Sequence, residues 1–190
     1  MRKERKYKAI VIGTSAGGLV ALTTILQALP VYYPVPILVV QHRSKDQRDL
    51  LEEVLQSKCA IQIKQADEKE KIEGGLVYIA PPDYHLLVES DETISLSADE
   101  PVGFSRPSID VLFESAAIVF RDKLAGIILT GANSDGSKGI EMIAKFNGTT
   151  IAQNPSEAQF SVMPKSAIET KKIKYILTLK EIQEFLLQII

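Results

Sequence analysis

Short apolar runs alternate along this chain with longer stretches in which apolar residues recur every third or fourth position. The runs read as strands buried on both faces of a sheet, and the periodic stretches as helices that cover it. Residues 8–12 predict a strand. Residues 17–29 predict a helix with Leu19, Leu22, Ile25, Leu26 and Leu29 on one face. Pro30, Pro34 and Pro36 punctuate the path to a second strand, 37–41. A charged helix over 47–57, striped by Leu50, Leu51, Val54 and Leu55, leads to a short strand, 61–64. This β-α-β-α-β order predicts a parallel sheet with crossover helices.

The middle of the chain breaks the pattern. Runs at 76–80, 85–89 and 93–96 are separated by Pro81-Pro82-Asp83 and Ser90-Asp91-Glu92, which predicts an inserted antiparallel meander. Arg106-Pro107-Ser108 opens a helix to about Phe120, with proline near its first turn. Alternation then resumes: strand 124–129, helix 137–146, strand 149–153, helix 164–169, strand 175–177 and helix 179–189. The predicted fold class is α/β, a doubly wound, mostly parallel, Rossmann-like sheet flanked by helices, with an inserted antiparallel β meander. A chain of 190 residues suits one domain, 1–190.

Composition narrows the function. Hydrophobic residues make up 45% of the chain, as in a globular protein. The net charge of -2 lacks the basic excess of a general nucleic-acid binder. The single cysteine, Cys59, excludes an internal disulfide and a multi-cysteine metal site, and reads as a small buried hydrophobe at a helix end. No apolar stretch approaches the ~20 residues of a membrane span. The basic start, residues 1–6, precedes an apolar run that stops at Gly13 without a small-residue cleavage site, so no secretory signal is read. The expectation is a cytoplasmic, soluble protein.

Three reactive side chains each follow a predicted parallel strand. Ser15 lies in Gly13-Thr14-Ser15-Ala16-Gly17-Gly18, His42 after the second strand, and Asp135 in Thr130-Gly131-Ala132-Asn133-Ser134-Asp135-Gly136. The carboxyl ends of parallel strands share one edge of the sheet, where ligands bind. A serine hydroxyl needs a base to take its proton as it attacks, and the base needs an acid to fix its tautomer. Gly13-Thr14-Ser15-Ala16-Gly17 matches the Gly-x-Ser-x-Gly elbow, and the Ala16 amide is a candidate oxyanion donor. The alternative for this loop is phosphate binding, because Gly13-x-x-x-x-Gly18 nearly matches the dinucleotide fingerprint, with Ser15 in place of the middle glycine. A nucleotide site also wants an acid after strand two, and Gln41-His42 stands there. His42 favours catalysis. His85, in the meander, reads as a structural or rim residue. Asp135 is the best acid by position, with a helix N-cap as its rival role and Asp110 as the runner-up acid. The order Ser, His, Asp differs from the Ser, Asp, His order of the α/β-hydrolases.

Together these residues resemble the catalytic domain of the bacterial chemotaxis protein-glutamate methylesterases. The likeness runs from Ala9–Gly18 through Val40-Gln-His42, Tyr78–Pro82, Arg106–Phe113, Gly126–Gly131, Ser134–Gly136, Thr150–Gln153 and Met163–Lys165. It implies hydrolysis of γ-glutamyl methyl esters on the methylated helical cytoplasmic region of chemoreceptors, and often glutamine deamidation there. It implies Ser15 as nucleophile, His42 as general base and Asp135 as its orienting partner, with no metal or organic cofactor. Two departures stand out. The family loop usually reads Thr-Gly-Met-Gly, and here it is Thr130-Gly131-Ala132-Asn133. Many members carry an amino-terminal phospho-receiver domain, whereas the catalytic strand begins almost at once here, so a receiver acting in trans is one expectation. A nucleotide-binding module and a receptor-binding adaptor without activity are the alternative functions.

Overall fold

The computed structural model describes residues 6–43 and 50–189. Its frame is a seven-stranded, all-parallel sheet of β1 (Ala9–Thr14), β2 (Ile37–Gln41), β3 (Gln62–Gln65), β4 (Leu76–Ile79), β7 (Leu124–Ile128), β8 (Thr149–Gln153) and β9 (Tyr175–Leu177). The spatial order is β3-β4-β2-β1-β7-β8-β9. β5 (His85–Val88) and β6 (Ile94–Ser97) form a separate antiparallel hairpin. The expected three-run meander is a two-stranded hairpin. Residues 76–79 do not join a meander; they pair in parallel with both β2 and β3 inside the main sheet. The proline-rich bend after β4 looked like a hairpin turn, yet Val77, Tyr78 and Ile79 are fully buried, as a sheet interior requires.

Helices cover both faces. α1 (Gly18–Leu26), α2 (Leu51–Gln56) and α6 (Leu179–Gln188) lie on one side, where Leu22, Ile25, Leu55, Ile182 and Leu186 share a core with alternate residues of β1 and β2. α3 (Ile109–Phe120), α4 (Ser137–Lys145) and α5 (Val162–Glu169) lie on the other, packed with the hairpin through Leu86, Val88 and Ile94. The part of the second predicted helix from Gln47 to Asp49 falls outside the described residues. α6 begins with a capping box in which the Thr178 side chain and Glu181 satisfy each other's backbone amides. Among the described residues no helix is long and apolar enough to cross a membrane.

β1 has β2 on one side and β7 on the other. The chain runs outward from β1 towards β3, then crosses back over α3 to lay β7, β8 and β9 on the far side. The strand order therefore reverses at β1, and the loops after β2, β1 and β7 converge there. This is the crevice that an open parallel sheet offers to ligands.

α3 and α4 are locked together. Gly139 of α4 presses on α3, and a methyl group added there would sit 2.4 Å from Phe113 Cβ. Helix propensity alone would reward Gly139→Ala by about 1 kcal/mol. The clash with a side-chain stem that cannot swing away outweighs this. Gly139→Ala is expected to destabilise the protein by about 1–3 kcal/mol, read from the midpoint of urea unfolding.

Candidate active site

The serine turn is built by Thr130, across the sheet. The Ser15 amide and the Thr14 hydroxyl both donate to the Thr130 carbonyl, at 3.0 and 2.8 Å. The Thr130 hydroxyl donates in return to the Ala16 carbonyl at 2.9 Å. On the other flank the Gln41 amide donates to the Ser15 and His42 carbonyls, both at 2.9 Å. The residue of this turn that adopts positive φ is Gly17, at 81°, and Ser15 is not strained. The sequence match to a Gly-x-Ser-x-Gly elbow thus yields a strand-to-helix turn whose conformational demand falls two residues after the serine. Within the described residues the amides of Ala16 and Gly17 form no hydrogen bond.

His42 leaves β2 beside this turn, its amide donating to the Thr14 carbonyl at 3.1 Å. Its Nε2 donates to Asp135 Oδ2 at 2.8 Å. Ser15 and His42 line the same crevice, about 520 Å³ in volume, together with Arg43, Phe104, Arg106 and Asn133. A second cleft of about 590 Å³ opens from Ser15 and His42 between the starts of α1 and α2. The three residues singled out from the sequence are therefore brought to one place by adjacent strands, β2, β1 and β7.

Asp135 does more than meet the histidine. Its carboxylate accepts from the Ile109 amide at 2.7 Å, the Asp110 amide at 3.1 Å and the Ser108 hydroxyl at 2.9 Å. The two amides are the first of α3, which the helix itself leaves free. The expected rival role, capping the helix after Ser137, is not the one it plays. That helix has Gly136 at its cap, and its Gly139 amide is taken by Asp110 Oδ1 at 2.8 Å. Each helix is thus satisfied by an acid carried next to the other. Burial pushes the Asp135 carboxyl up, but the hydrogen bonds from His42, Ile109 and Asp110 outweigh it and hold the group below the ordinary carboxylate range. As an anion it accepts from His42, so Nε2 carries a proton, and in the neutral ring the lone pair is on Nδ1.

Asp110, the runner-up acid, faces α4 through its carboxylate. Burial, opposed by the Gly139 hydrogen bond and reinforced by the Asp135 charge, pushes its pKa up to about 6. His85 is buried and structural: Nδ1 accepts the Ser108 amide at 3.1 Å, and Nε2 donates to the Glu100 carbonyl at 3.2 Å. It fixes the residue before α3. Cys59 is buried, and burial raises its thiol pKa.

Sequence reasoning missed three contributors. Arg106 joins two loops, donating to Asp83 Oδ1 at 2.6 and 2.8 Å and to the carbonyls of Ala98 and Asp99. Arg43 holds Glu52 and the Ala80 carbonyl. Asn133 accepts the Asp135 amide on Oδ1 at 3.1 Å and donates from Nδ2 to His42 Nδ1 at 3.2 Å. The one sequence signal was that Asn133 stands where the resembled family has glycine.

Comparison with known proteins agrees with this architecture. It is that of a methylesterase catalytic domain: the crystal structure of the Thermotoga maritima CheB methylesterase catalytic domain matches with a TM-score of 0.92 at 34% identity, covering 97% of this chain and 99% of that one. The CheB methylesterase family model matches residues 10–186. The chain belongs to the CheB methylesterase family. A protein of Leptospira interrogans is 50% identical over 183 residues, covering 96% of this chain and 95% of that protein. A protein-glutamate methylesterase/protein-glutamine glutaminase of Clostridium acetobutylicum is 33% identical, and the match covers 96% of this chain but 53% of that longer protein.

The raised Asp110 pKa makes stability depend on pH. An unfolded aspartate titrates near 3.9. Between about pH 6 and 4 the folded protein therefore takes up a proton that the unfolded chain does not. Burying the charge costs stability in full above pH 6, and the cost is relieved as pH falls through that window. Asp110→Asn keeps an acceptor for the Gly139 amide and removes the charge. It is expected to be more stable than the parent at pH 7.5, with the difference vanishing by pH 4, measured by urea unfolding across pH.

Proposed function

We propose that this protein is a serine esterase that removes methyl groups from glutamate side chains in the methylated helical cytoplasmic region of chemoreceptors, and deamidates glutamines at such sites. The observation that carries the reading is the placement of Ser15 and His42 in one crevice, with His42 Nε2 held 2.8 Å from a buried aspartate anion.

In this mechanism His42 Nδ1 takes the Ser15 proton as Oγ attacks the ester carbonyl. Asp135 keeps the opposite nitrogen protonated and stabilises the imidazolium that forms. The amides of Ala16 and Gly17, at the positive end of α1, are the donors that would stabilise the oxyanion. Collapse of the tetrahedral intermediate returns the proton to the leaving methanol, and water then releases the acid through the same base.

The rim suits a helical substrate. Leu19, Val20 and Leu50 are 40%, 65% and 55% exposed beside the larger cleft, and Phe104 stands fully exposed at the edge of the smaller one. Apolar anchors around a cleft are what an amphipathic helix docks against. Neither a metal nor an organic cofactor is needed for these steps. A receiver domain acting in trans would regulate the site by covering the same rim. The nucleotide-binding alternative is disfavoured because the Gln41 amide, at the ribose-recognition position, is spent on two carbonyls.

The test is methanol release from a methylated chemoreceptor cytoplasmic fragment. Ser15→Ala is expected to lower turnover by roughly 10⁴-fold or more. A loss under tenfold overturns the mechanism. Release from neither protein, together with unimpaired binding of the fragment, supports the adaptor reading instead.

A further inference from the structure

Asn133 sits on the nitrogen that the reaction needs. The side-chain amide is oriented by its own loop: Oδ1 accepts the Asp135 amide at 3.1 Å, which turns Nδ2 towards His42. Nδ2 then lies 3.2 Å from His42 Nδ1. The neutral imidazole takes part in one tautomer. Asp135 is an acceptor and claims the Nε2 proton, so Nδ1 is the acceptor and Asn133 the donor. A neutral imidazole has a single lone pair on that nitrogen, lying in the ring plane. It cannot receive the Asn133 N–H and the Ser15 Oγ–H together.

We infer that Asn133 is a positioning residue that latches the base: in the resting protein it occupies His42 Nδ1, and substrate seating must move it aside before Ser15 can transfer its proton. The inference rests on the proposed Ser15–His42 reading. Releasing the latch breaks the Nδ2–H···Nδ1 hydrogen bond. The proton of Ser15 then passes to the freed lone pair while Oγ bonds to the carbonyl carbon, leaving an imidazolium held by Asp135. A bond of 3.2 Å between neutral partners is weak, so the latch opens at small cost. Asn133 lines the crevice with Phe104 and Arg106, where an entering substrate would meet it. Glycine at this position, as in the resembled family, has no side chain to reach the ring. The chain's departure from the family loop thereby becomes a brake on the nucleophile.

The experiment is the rate of Ser15 modification by a fluorophosphonate, which needs no receptor, in the parent, Asn133→Ala and Asn133→Gly proteins, with Ser15→Ala beside them. The ring nitrogens of His42 are followed by ¹⁵N NMR in the unreacted proteins. Removal of the latch is expected to speed labelling by about three- to tenfold. It is also expected to move the Nδ1 resonance towards the free pyridine-type position while Nε2 stays protonated. Unchanged or slower labelling in both folded variants overturns the latch, as does an unmoved Nδ1 resonance. Equal labelling of Ser15→Ala and the parent would instead overturn the nucleophile assignment, and the NMR shift would still report whether Asn133 holds the ring.

Discussion

The site depends on one buried negative charge. Asp135 is 9% exposed, and a lone carboxylate at that depth would protonate or destabilise the fold. It remains an anion because the first amides of α3, the Ser108 hydroxyl and the His42 ring all donate to it. Each partner gains in exchange. The helix end loses its unsatisfied donors, and the histidine loses its freedom of rotation and of tautomer. Substituting any one member therefore changes the electrostatics of the rest.

That charge is delivered by the sheet. β7 places the Asp135 loop beside β1, while β2 places His42 on the other side of it. The crossover through α3 brings the helix start over the same edge, where Ile109 packs against Gly13 so closely that a Cβ there would sit 2.3 Å from Ile109 Cγ2. Glycine at 13 is needed for close approach rather than for its φ. The exchange of acids between α3 and α4 then sets the two helices' depth, and Gly139 lets them meet.

Much of this was legible in the sequence because buried parallel strands advertise themselves as apolar runs, and reactive residues directly after such runs must share an edge. Ser15, His42 and Asp135 follow from that rule. β4 was misassigned because Pro81 and Pro82 mimic a hairpin turn; strand neighbours are decided by long-range pairing that local pattern does not encode. The dual role of Asp135 was hidden for the same reason. Its partners Ser108, Ile109 and Asp110 lie more than twenty residues away, and nothing in their own pattern marks α3 as capped from outside. Asn133 was visible as an oddity, but its contact with His42 depends on how the loop folds back through the Asp135 amide.

The crossed capping of α3 and α4 ties the site to a complete fold. Ser15 and His42 come from the first quarter of the chain, and the carboxylate that accepts from His42 comes from the last third. The helix whose start it holds lies between them in sequence. A molecule that has not yet closed this circuit, or has locally reopened it, leaves His42 without its carboxylate partner. The geometry of the site is thus withheld from partly folded forms, and the order of the architecture decides when it exists.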